Sequence, residues 1–550
     1  MYLGCSALDA ANMNMTKDNK STHPKQPIGI VCLTFACLSG LLMTAAFPKI
    51  GNGLVAWFAL VPLFMALRNL SPFDGFRIGF LTGIVHYLTL LYWFIPFLTT
   101  YGPFPTLIST GILCLLSSYL AVYIGLFSMA IVSTRVSPYA LWAMAPVFWV
   151  CLEYVRTTVF SGFPWELLGH TQYNALHIIQ ISDIVGVYGI SFLIMMSNVL
   201  LFFLYQVAAK QDWQGYKTDP KFFLVYVFFF CGLIGAVWNY GDRQISSMEK
   251  KIAQAPTKKI AVVQGNIDQT QKWDPAYQIS TLKKYFELSN SLSAQQWDLI
   301  VWPETAMPFY FSTQVPLTRM VLENIRSSGI DTLLGSPAYS REEKRVRYFN
   351  RAFLIRASGT IADAYDKAHL VPFGEYVPMK RWLPFLGKMV AQVGDFSTGM
   401  VGDTLSWGKH EIGALICYEM IFPYLSRAAV RHGAHLLVNI TNDAWYGQTS
   451  APFQHFSMAV FRAIETRRTL VRSANTGISG IIDPLGRVIR QTPIFKDAVF
   501  GEAVPLMSGL TPYVKLGDFF ARFCSMVSLI IVLLSQTLRV PLIRKIFRRK

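Results

Sequence analysis

Seven apolar segments, each long enough to cross a bilayer, follow one another in the first 240 residues and leave this chain few ways to fold. They cover about 28–46, 51–68, 77–99, 106–133, 139–157, 178–208 and 221–239. Each is near or above the roughly 18–20 residues a helix needs to span hydrocarbon. Every backbone N–H and C=O must be satisfied within such a segment, so the segments are expected as helices. An eighth runs from about 518 to 538. The organisation expected is a polar tail (1–27), a membrane bundle of seven helices (28–240), a polar domain (241–515), and an eighth helix with a basic tail (516–550).

Charge then sets the orientation. The chain is 53% hydrophobic and 15% charged, with a formal charge of +17. Such a charge can mark a nucleic-acid binder, but here Lys and Arg flank the apolar segments and no nucleic-acid motif is present, so no nucleic-acid partner is expected. Basic residues cluster at Lys17/Lys20/Lys25, Arg68/Arg77, Arg135, Lys210/Lys217/Lys221 and from Arg539 to Lys550. The connections at 47–50, 100–105 and 158–177 are poorer in them. With eight spans and both ends inside, all five clusters fall on one side. The polar domain then lies on the outer face, because an odd number of spans precedes it. Residues 1–27 read as a disordered cytoplasmic tail, and the apolar run after them is too long for a cleaved signal peptide.

Residues 241–515 have a different texture. Lys259–Gln264, Asp298–Val301, Asp331–Gly335, His435–Ile440 and the stretches 469–474, 478–482 and 487–490 read as strands, with a hairpin turning at Ala357-Ser358-Gly359. Helical spacing covers 275–296, 316–328, 423–432 and 452–467. Strands alternating with helices indicate a layered α/β domain. Glu411–Glu419 reads as one more strand, carrying Cys417 near its end. Of the eight cysteines (5, 32, 37, 114, 151, 231, 417 and 524), Cys417 alone falls in this polar region. None has the spacing of a zinc site or a disulfide framework, and no cofactor is expected.

A strand cysteine taken alone is a small buried hydrophobe. Glu304, after the Trp302-Pro303 at a strand end, would alone be a solvated loop carboxylate, and Lys367 a surface lysine. Together, a thiol, a carboxylate and an ammonium make a complete acyl-transfer set. The carboxylate removes the thiol proton, because the thiolate is the nucleophile. The ammonium stabilises the oxyanion, with the backbone N–H of Tyr418 as a second donor. The same carboxylate can return its proton to the leaving group. Spacing along the chain does not show that the three meet.

The pattern Trp-Pro-Glu304, Lys367, Cys417-Tyr-Glu419 resembles the Glu-Lys-Cys triad of the nitrilase (carbon–nitrogen hydrolase) superfamily. The flanks Gln264-Gly-Asn-Ile, Lys367-Ala-His-Leu-Val-Pro-Phe-Gly-Glu375-Tyr-Val-Pro, Asn439-Ile-Thr-Asn-Asp-Ala-Trp-Tyr-Gly447, Asn475-Thr-Gly and Gly162-Phe-Pro-Trp165 are similar to the bacterial apolipoprotein N-acyltransferase family. The resemblance runs from about 28 to 538 and implies an αββα sandwich for the polar domain. It implies a multi-pass enzyme of the bacterial inner membrane with its catalytic domain in the periplasm. Its partners would be a phospholipid donor, a diacylglyceryl apolipoprotein acceptor and the bilayer. The acyl chain would pass through a Cys thioester, in a ping-pong sequence, to the acceptor's N-terminal α-amino group. On the matching positions Cys417 is the nucleophile, Glu304 the proton acceptor and donor, and Lys367 the oxyanion stabiliser. Trp273, Glu375, Tyr418 and Glu419 are accessory.

Chemistry gives Glu375 a way to orient Lys367 and keep it charged. Glu419 would share the face of Cys417 only if the strand continued. Trp445 and Tyr446 suit either packing or acyl contact. Residues 378–401 mix Trp382, Leu383, Phe385 and Leu386 with Lys380, Arg381 and Lys388, as expected of a lid that dips into an anionic bilayer surface or packs on the protein itself. Two other readings compete. A membrane-tethered amidase would use the same triad but has no need of eight spans. A transporter would need paired ionic residues inside the spans, and none is evident in the sequence.

Overall fold

The computed structural model describes residues 28–102, 104–133, 138–292, 296–311, 313–342, 345–377 and 396–537. The expected tail 1–27, stretch 378–395 of the expected lid and the basic end from residue 538 lie outside the described residues.

The apolar segments fold as helices α1 (Ile30–Ala45), α2 (Val61–Ala66), α3 (Pro72–Leu90), α4 (Phe94–Thr100), α5 (Thr106–Ser133), α6 (Pro138–Thr158), α7 (Leu176–Ile179), α8 (Ser182–Ala208) and α9 (Pro220–Gln254). By length and composition α5, α8 and α9 can each cross a membrane, and α3 with α4 forms a fourth candidate bent by 49°. Helices α3 and α5 pack along a stripe of Gly75, Gly79 and Gly83. A Cβ on Gly83 would lie 2.7 Å from Ala121 Cα, so small residues are what allow the close approach.

The segment expected as one span at 51–68 is instead a 3-10 turn (Gly53–Trp57) followed by the six-residue α2, with Pro62 near its start. The break frees backbone groups that hydrocarbon cannot satisfy. Asn198 of α8 takes them up, accepting from Leu60 N at 2.7 Å and donating to Ala56 O at 2.9 Å, and Ser39 donates to Ala59 O at 2.7 Å. Helix α9 runs unbroken through the boundary expected at 240/241. Its apolar start exposes Leu224, Val225, Phe228 and Phe229, and farther on Tyr240 and Gln244 donate to Asp183 at 2.8 and 2.7 Å.

A short hairpin, β1 (Asp212–Trp213) and β2 (Tyr216–Lys217), precedes α9, and after α9 the chain enters a two-sheet domain. The first sheet comprises β3 (Thr257–Gln264), β4 (Leu299–Val301), β5 (Asp331–Glu342), β6 (Arg345–Ile355), β7 (Ile361–Asp366) and β14 (Ala498–Pro505), in the order β14-β3-β4-β5-β6-β7. The second comprises β8 (Leu405–Trp407), β9 (His410–Ile416), β10 (Leu436–Thr441), β11 (Leu470–Ala474), β12 (Gly480–Ile482) and β13 (Val488–Gln491), in the order β13-β12-β11-β10-β9-β8. The centre of each sheet is parallel, β3-β4-β5 and β9-β10-β11.

Alternation assigns the faces. Ile260, Val262, Ala414, Ile416, Leu436 and Val438 meet between the sheets. Ala261 and Val263 turn the other way, onto α10 (Gln278–Asn290) and α11 (Val315–Ser328) through Leu282, Tyr285, Val321 and Ile325. The expected helix 275–296 is shorter than its pattern: Pro275–Tyr277 form a 3-10 turn capped by Asp274, and α10 ends at Asn290. On the second sheet, α12 (Pro423–Arg431) and α13 (Ala451–Thr466) form the outer layer. This gives the expected αββα sandwich.

The α12 and α13 layer shares one apolar core with the membrane helices, which continue into α14 (Pro512–Leu516) and α15 (Phe519–Thr537). Helix α13 is buried almost all round, Gln454, His455, Arg462 and Glu465 included. Asp183–Arg467 at 2.7 Å and Arg427–Asp518 at 2.6 Å pin the two halves together. Charged side chains are nonetheless buried beside the spans. Arg156 of α6 donates to Tyr87 Oη at 3.0 Å and to Glu166 O at 3.4 Å, and Glu153 and Glu166 are buried with it. Glu153 and Arg156 are three apart on one inward helix face, and the 158–177 connection folds back to deliver Glu166.

Candidate active site

Cys417 closes β9, and the strand stops one residue before it. Its φ of 53° begins a 3-10 turn (Cys417–Ile421), so the expected run of strand through Glu419 is corrected. A left-handed conformation costs a non-glycine residue about 1 kcal/mol or more, a strain found where a nucleophile is thrust out of a strand end. The turn sends Glu419 back under the strand. Its carboxylate accepts from Ile416 N at 2.7 Å, Ala368 N at 2.7 Å, His369 N at 2.9 Å and Tyr365 Oη at 3.0 Å. Glu419 therefore ties the Cys417 turn to the loop that carries Lys367. Burial pushes Glu419 up to about 7, against those backbone donors and Lys367.

Glu304 stands just past the end of β4. Gly335 of β5 allows this course, since a Cβ there would lie 2.8 Å from Glu304 Cα. Its two carboxylate oxygens are held by neutral donors, Asn350 Nδ2 at 2.8 Å and Asn442 N at 2.8 Å. Lys367 follows β7 and is buried. Its Nζ lies 3.0 and 2.9 Å from the two oxygens of Glu375. Asn350 Nδ2 also donates to Glu375 at 3.0 Å, so one amide spans both carboxylates.

The electrostatics follow from the burial. Burial pushes the Cys417 thiol up to about 12, the Glu304 carboxylate adds to that, and the Lys367 ammonium opposes it. The resting thiol therefore keeps its proton and needs a base at the moment of attack. Burial works to strip the proton from Lys367, but Glu375 and then Glu304 outweigh it and hold this ammonium above the usual lysine range. Behind the nucleophile, Asp443 accepts from Thr441 at 3.0 Å, His455 at 3.1 Å and Arg472 at 2.7 Å. Burial alone would raise Asp443, yet Arg472 and His455 hold it well below the usual carboxylate range.

The membrane half forms one wall. Burial, and after it the Cys417 sulfur, raise the Tyr446 phenol, and Trp93 and Trp165 pack on Tyr446 at ring separations of 5.0 and 6.0 Å. Gln454 accepts from both indoles, at 3.2 and 2.9 Å, and donates to the carbonyls of Pro48 and Leu90. Trp445 reaches the rings of Tyr101 and Phe97.

Two family descriptions match the two halves: Apolipoprotein N-acyltransferase N-terminal domain over residues 39–200, and Carbon-nitrogen hydrolase over residues 259–506. A protein of Geobacter metallireducens described as Apolipoprotein N-acyltransferase is 44% identical over 490 residues, which are 89% of this chain and 92% of that one. The chain belongs to the apolipoprotein N-acyltransferase family. It is an acyltransferase whose second half is a carbon–nitrogen hydrolase domain. A second member of the family, from Methylococcus capsulatus, is 32% identical and covers 88% of this chain and 93% of its own. Among solved structures, an amidase from Nesterenkonia sp. matches at 20% identity and a TM-score of 0.36, covering 48% of this chain and 95% of that one.

Of the residues singled out in the sequence, Glu304, Lys367, Cys417, Glu375, Tyr418 and Glu419 come together. Trp273 does not join them by contact: it is 48% exposed and makes no hydrogen bond or ring contact among the described residues. Sequence reasoning missed Asn350, Asn442 and Lys272. Asn350 left one trace, a polar amide inside a strand pattern, where Asn is disfavoured. Asn442 lay inside a quoted motif with no role attached. Lys272 had no signal beyond its place beside Trp273.

Proposed function

We propose that the protein transfers an acyl chain from a phospholipid to the N-terminal α-amino group of a diacylglyceryl-cysteine lipoprotein, at the periplasmic face of the bacterial inner membrane. Counting the broken segment 51–68 as one, seven spans would precede the catalytic domain and one would follow it. The observation that carries this reading is a buried thiol, Cys417, set between Glu304 and Lys367 on one side and an aromatic wall of membrane residues on the other. An enzyme drawing its acyl donor from lipid needs that juxtaposition.

In the first half-reaction Glu304 takes the Cys417 proton as the sulfur attacks the ester carbonyl. Lys367 and the Tyr418 N–H receive the oxyanion. Collapse breaks the ester C–O bond, and Glu304 returns the proton to the departing lysophospholipid. In the second, Glu304 takes a proton from the attacking amine, the C–S bond breaks and the thiol is restored. One thiol and one base make one pocket, and both substrates carry bulky chains, so the lysolipid leaves before the acceptor enters.

Purified enzyme incubated with labelled phospholipid and no acceptor should hold the label as a Cys417 thioester and release lysophospholipid. Rapid turnover to free fatty acid would instead mean hydrolysis. Cys417→Ala should form no acyl-enzyme, and Glu304→Gln and Lys367→Ala should each slow its formation at least several hundredfold, about 4 kcal/mol.

A further inference from the structure

Lys272 is a buried ammonium for which the mechanism above has no use. It is 1% exposed, and its Nζ makes one hydrogen bond among the described residues, to the backbone carbonyl of Glu304 at 3.2 Å. An ammonium has three N–H donors, and burying one with a single neutral partner is costly unless a charge lies nearby. Glu304, just past β4, supplies one from the elements packed around it, and Cys417, after β9, becomes a second once its proton has left.

The loop is built to bring the ammonium there. Asn475, after β11, accepts from Ile267 N at 2.9 Å and donates to Ile267 O at 2.9 Å, while its carbonyl accepts from Asn266 N at 2.8 Å. The same side chain donates to Asn442 Oδ1 at 3.1 Å, and Asn442 in turn donates to Gln269 at 2.7 Å. The turn that follows closes with Lys272 N on Asp268 O at 3.0 Å. Asn442 is also the residue whose N–H holds Glu304. One amide network thus fastens the Lys272 loop and the base to each other.

A count of charges gives this network its purpose. Asp443 has Arg472, Glu375 has Lys367, and Glu419 is capped by backbone N–H groups and Tyr365. The two carboxylate oxygens of Glu304 are bonded to neutral donors only. We propose that Lys272 is the counter-charge of Glu304, a positioning residue that holds the base by its carbonyl and supplies the second positive charge of the acylation site. This rests on the reading of Glu304 and Cys417 as base and nucleophile. During acylation the negative charge moves from Glu304 to the thiolate and on to the oxyanion, and Lys272 stays within reach of the first two. Burial also lowers Lys272 to about 8, against the pull of Glu304 and Cys417. The charge is present below that pH and is lost above it, so its effect is readable in a pH profile.

The test is the alkylation of Cys417 by iodoacetamide in the full-length protein in detergent, read on its own peptide by mass spectrometry. It needs no lipid substrate, so it fails or succeeds independently of the phospholipid assay. At about pH 7.5, Lys272→Met should react roughly tenfold more slowly than wild type, the effect of one lost cation on a thiol one unit away in pKa. Lys272→Arg should stay within about threefold, and because a guanidinium keeps its proton, its rate relative to wild type should rise up to about tenfold between about pH 7 and pH 10. A residue that only braced the loop would leave that ratio flat. Such a flat ratio between about pH 7 and pH 10 would overturn the proposal. So would a wild-type alkylation rate in Lys272→Met.

Discussion

Replacing Glu375 by Gln removes a charge and keeps the shape. In the folded protein both oxygens of Glu375 face the Lys367 ammonium, one also accepts from Asn350, and the other from Val371 N at 2.8 Å. The Lys367 and Glu375 side chains are 1% and 13% exposed, so water screens little of the loss. Breaking a buried pair by removing one partner costs about 3–5 kcal/mol. Glu304 remains near Lys367, which favours the lower end. The amide also turns a donor toward an N–H or an ammonium it cannot satisfy, roughly 1 kcal/mol more. The expected total, about 3–4 kcal/mol, lowers Tm by roughly 8 °C for a domain of this size. Activity falls further, because an ammonium without its anchor no longer meets the oxyanion; loss of one such donor slows the step by about 10²–10³-fold. The assay is single-turnover formation of the Cys417 acyl-enzyme beside thermal unfolding of the same preparation. The pair acts as a unit, so Glu375→Gln added to Lys367→Ala should slow the step little beyond Lys367→Ala alone. Additive losses, or a single variant within about threefold of wild type, would refute the assignment of Glu375 as the anchor of Lys367.

Glu419 gives a pH signature: burial raises it from 4.5 to about 7, so the folded state binds this proton more tightly than the unfolded chain, and stability is lost as pH rises between those values. Relative to Glu419→Gln, the wild-type protein should therefore lose on the order of 3 kcal/mol across that window, seen as a Tm difference that changes between about pH 5 and pH 7.5; a constant difference would contradict it. Gln454→Leu strands two buried indole N–H groups and two carbonyls, so unfolding should come about 2–4 kcal/mol easier, checked by Tm, while Ser457→Ala on the same helix changes it less. A reporter active only outside the cytoplasm should work when fused after residue 510 and fail when fused after residue 550; the reverse pattern would invert the orientation.

What the sequence determined by itself was set by local physics. Apolar length dictates helices in hydrocarbon, and period-two burial dictates strands, so the two halves, most of the helices and a layered α/β second half were legible, with the αββα arrangement added by resemblance. So was the chemistry of Glu304, Lys367 and Cys417, but through resemblance in their flanks, because residues 50 to 63 apart carry no local sign that they will meet. The tertiary structure decided the rest, for reasons of satisfaction rather than propensity. Segment 51–68 carries the apolar length of a span, yet it breaks because Asn198 and Ser39, distant in sequence, can take up the freed backbone groups. Glu419 reads as a strand residue beside the nucleophile; it becomes a backbone clamp because Cys417 turns into the left-handed region and reverses the side chain's direction. Asn350 and Lys272 acquire their meaning only when β6 and the 265–274 loop close on Glu304. A hydrogen-bond donor has no periodicity, and its role exists only where the acceptor arrives.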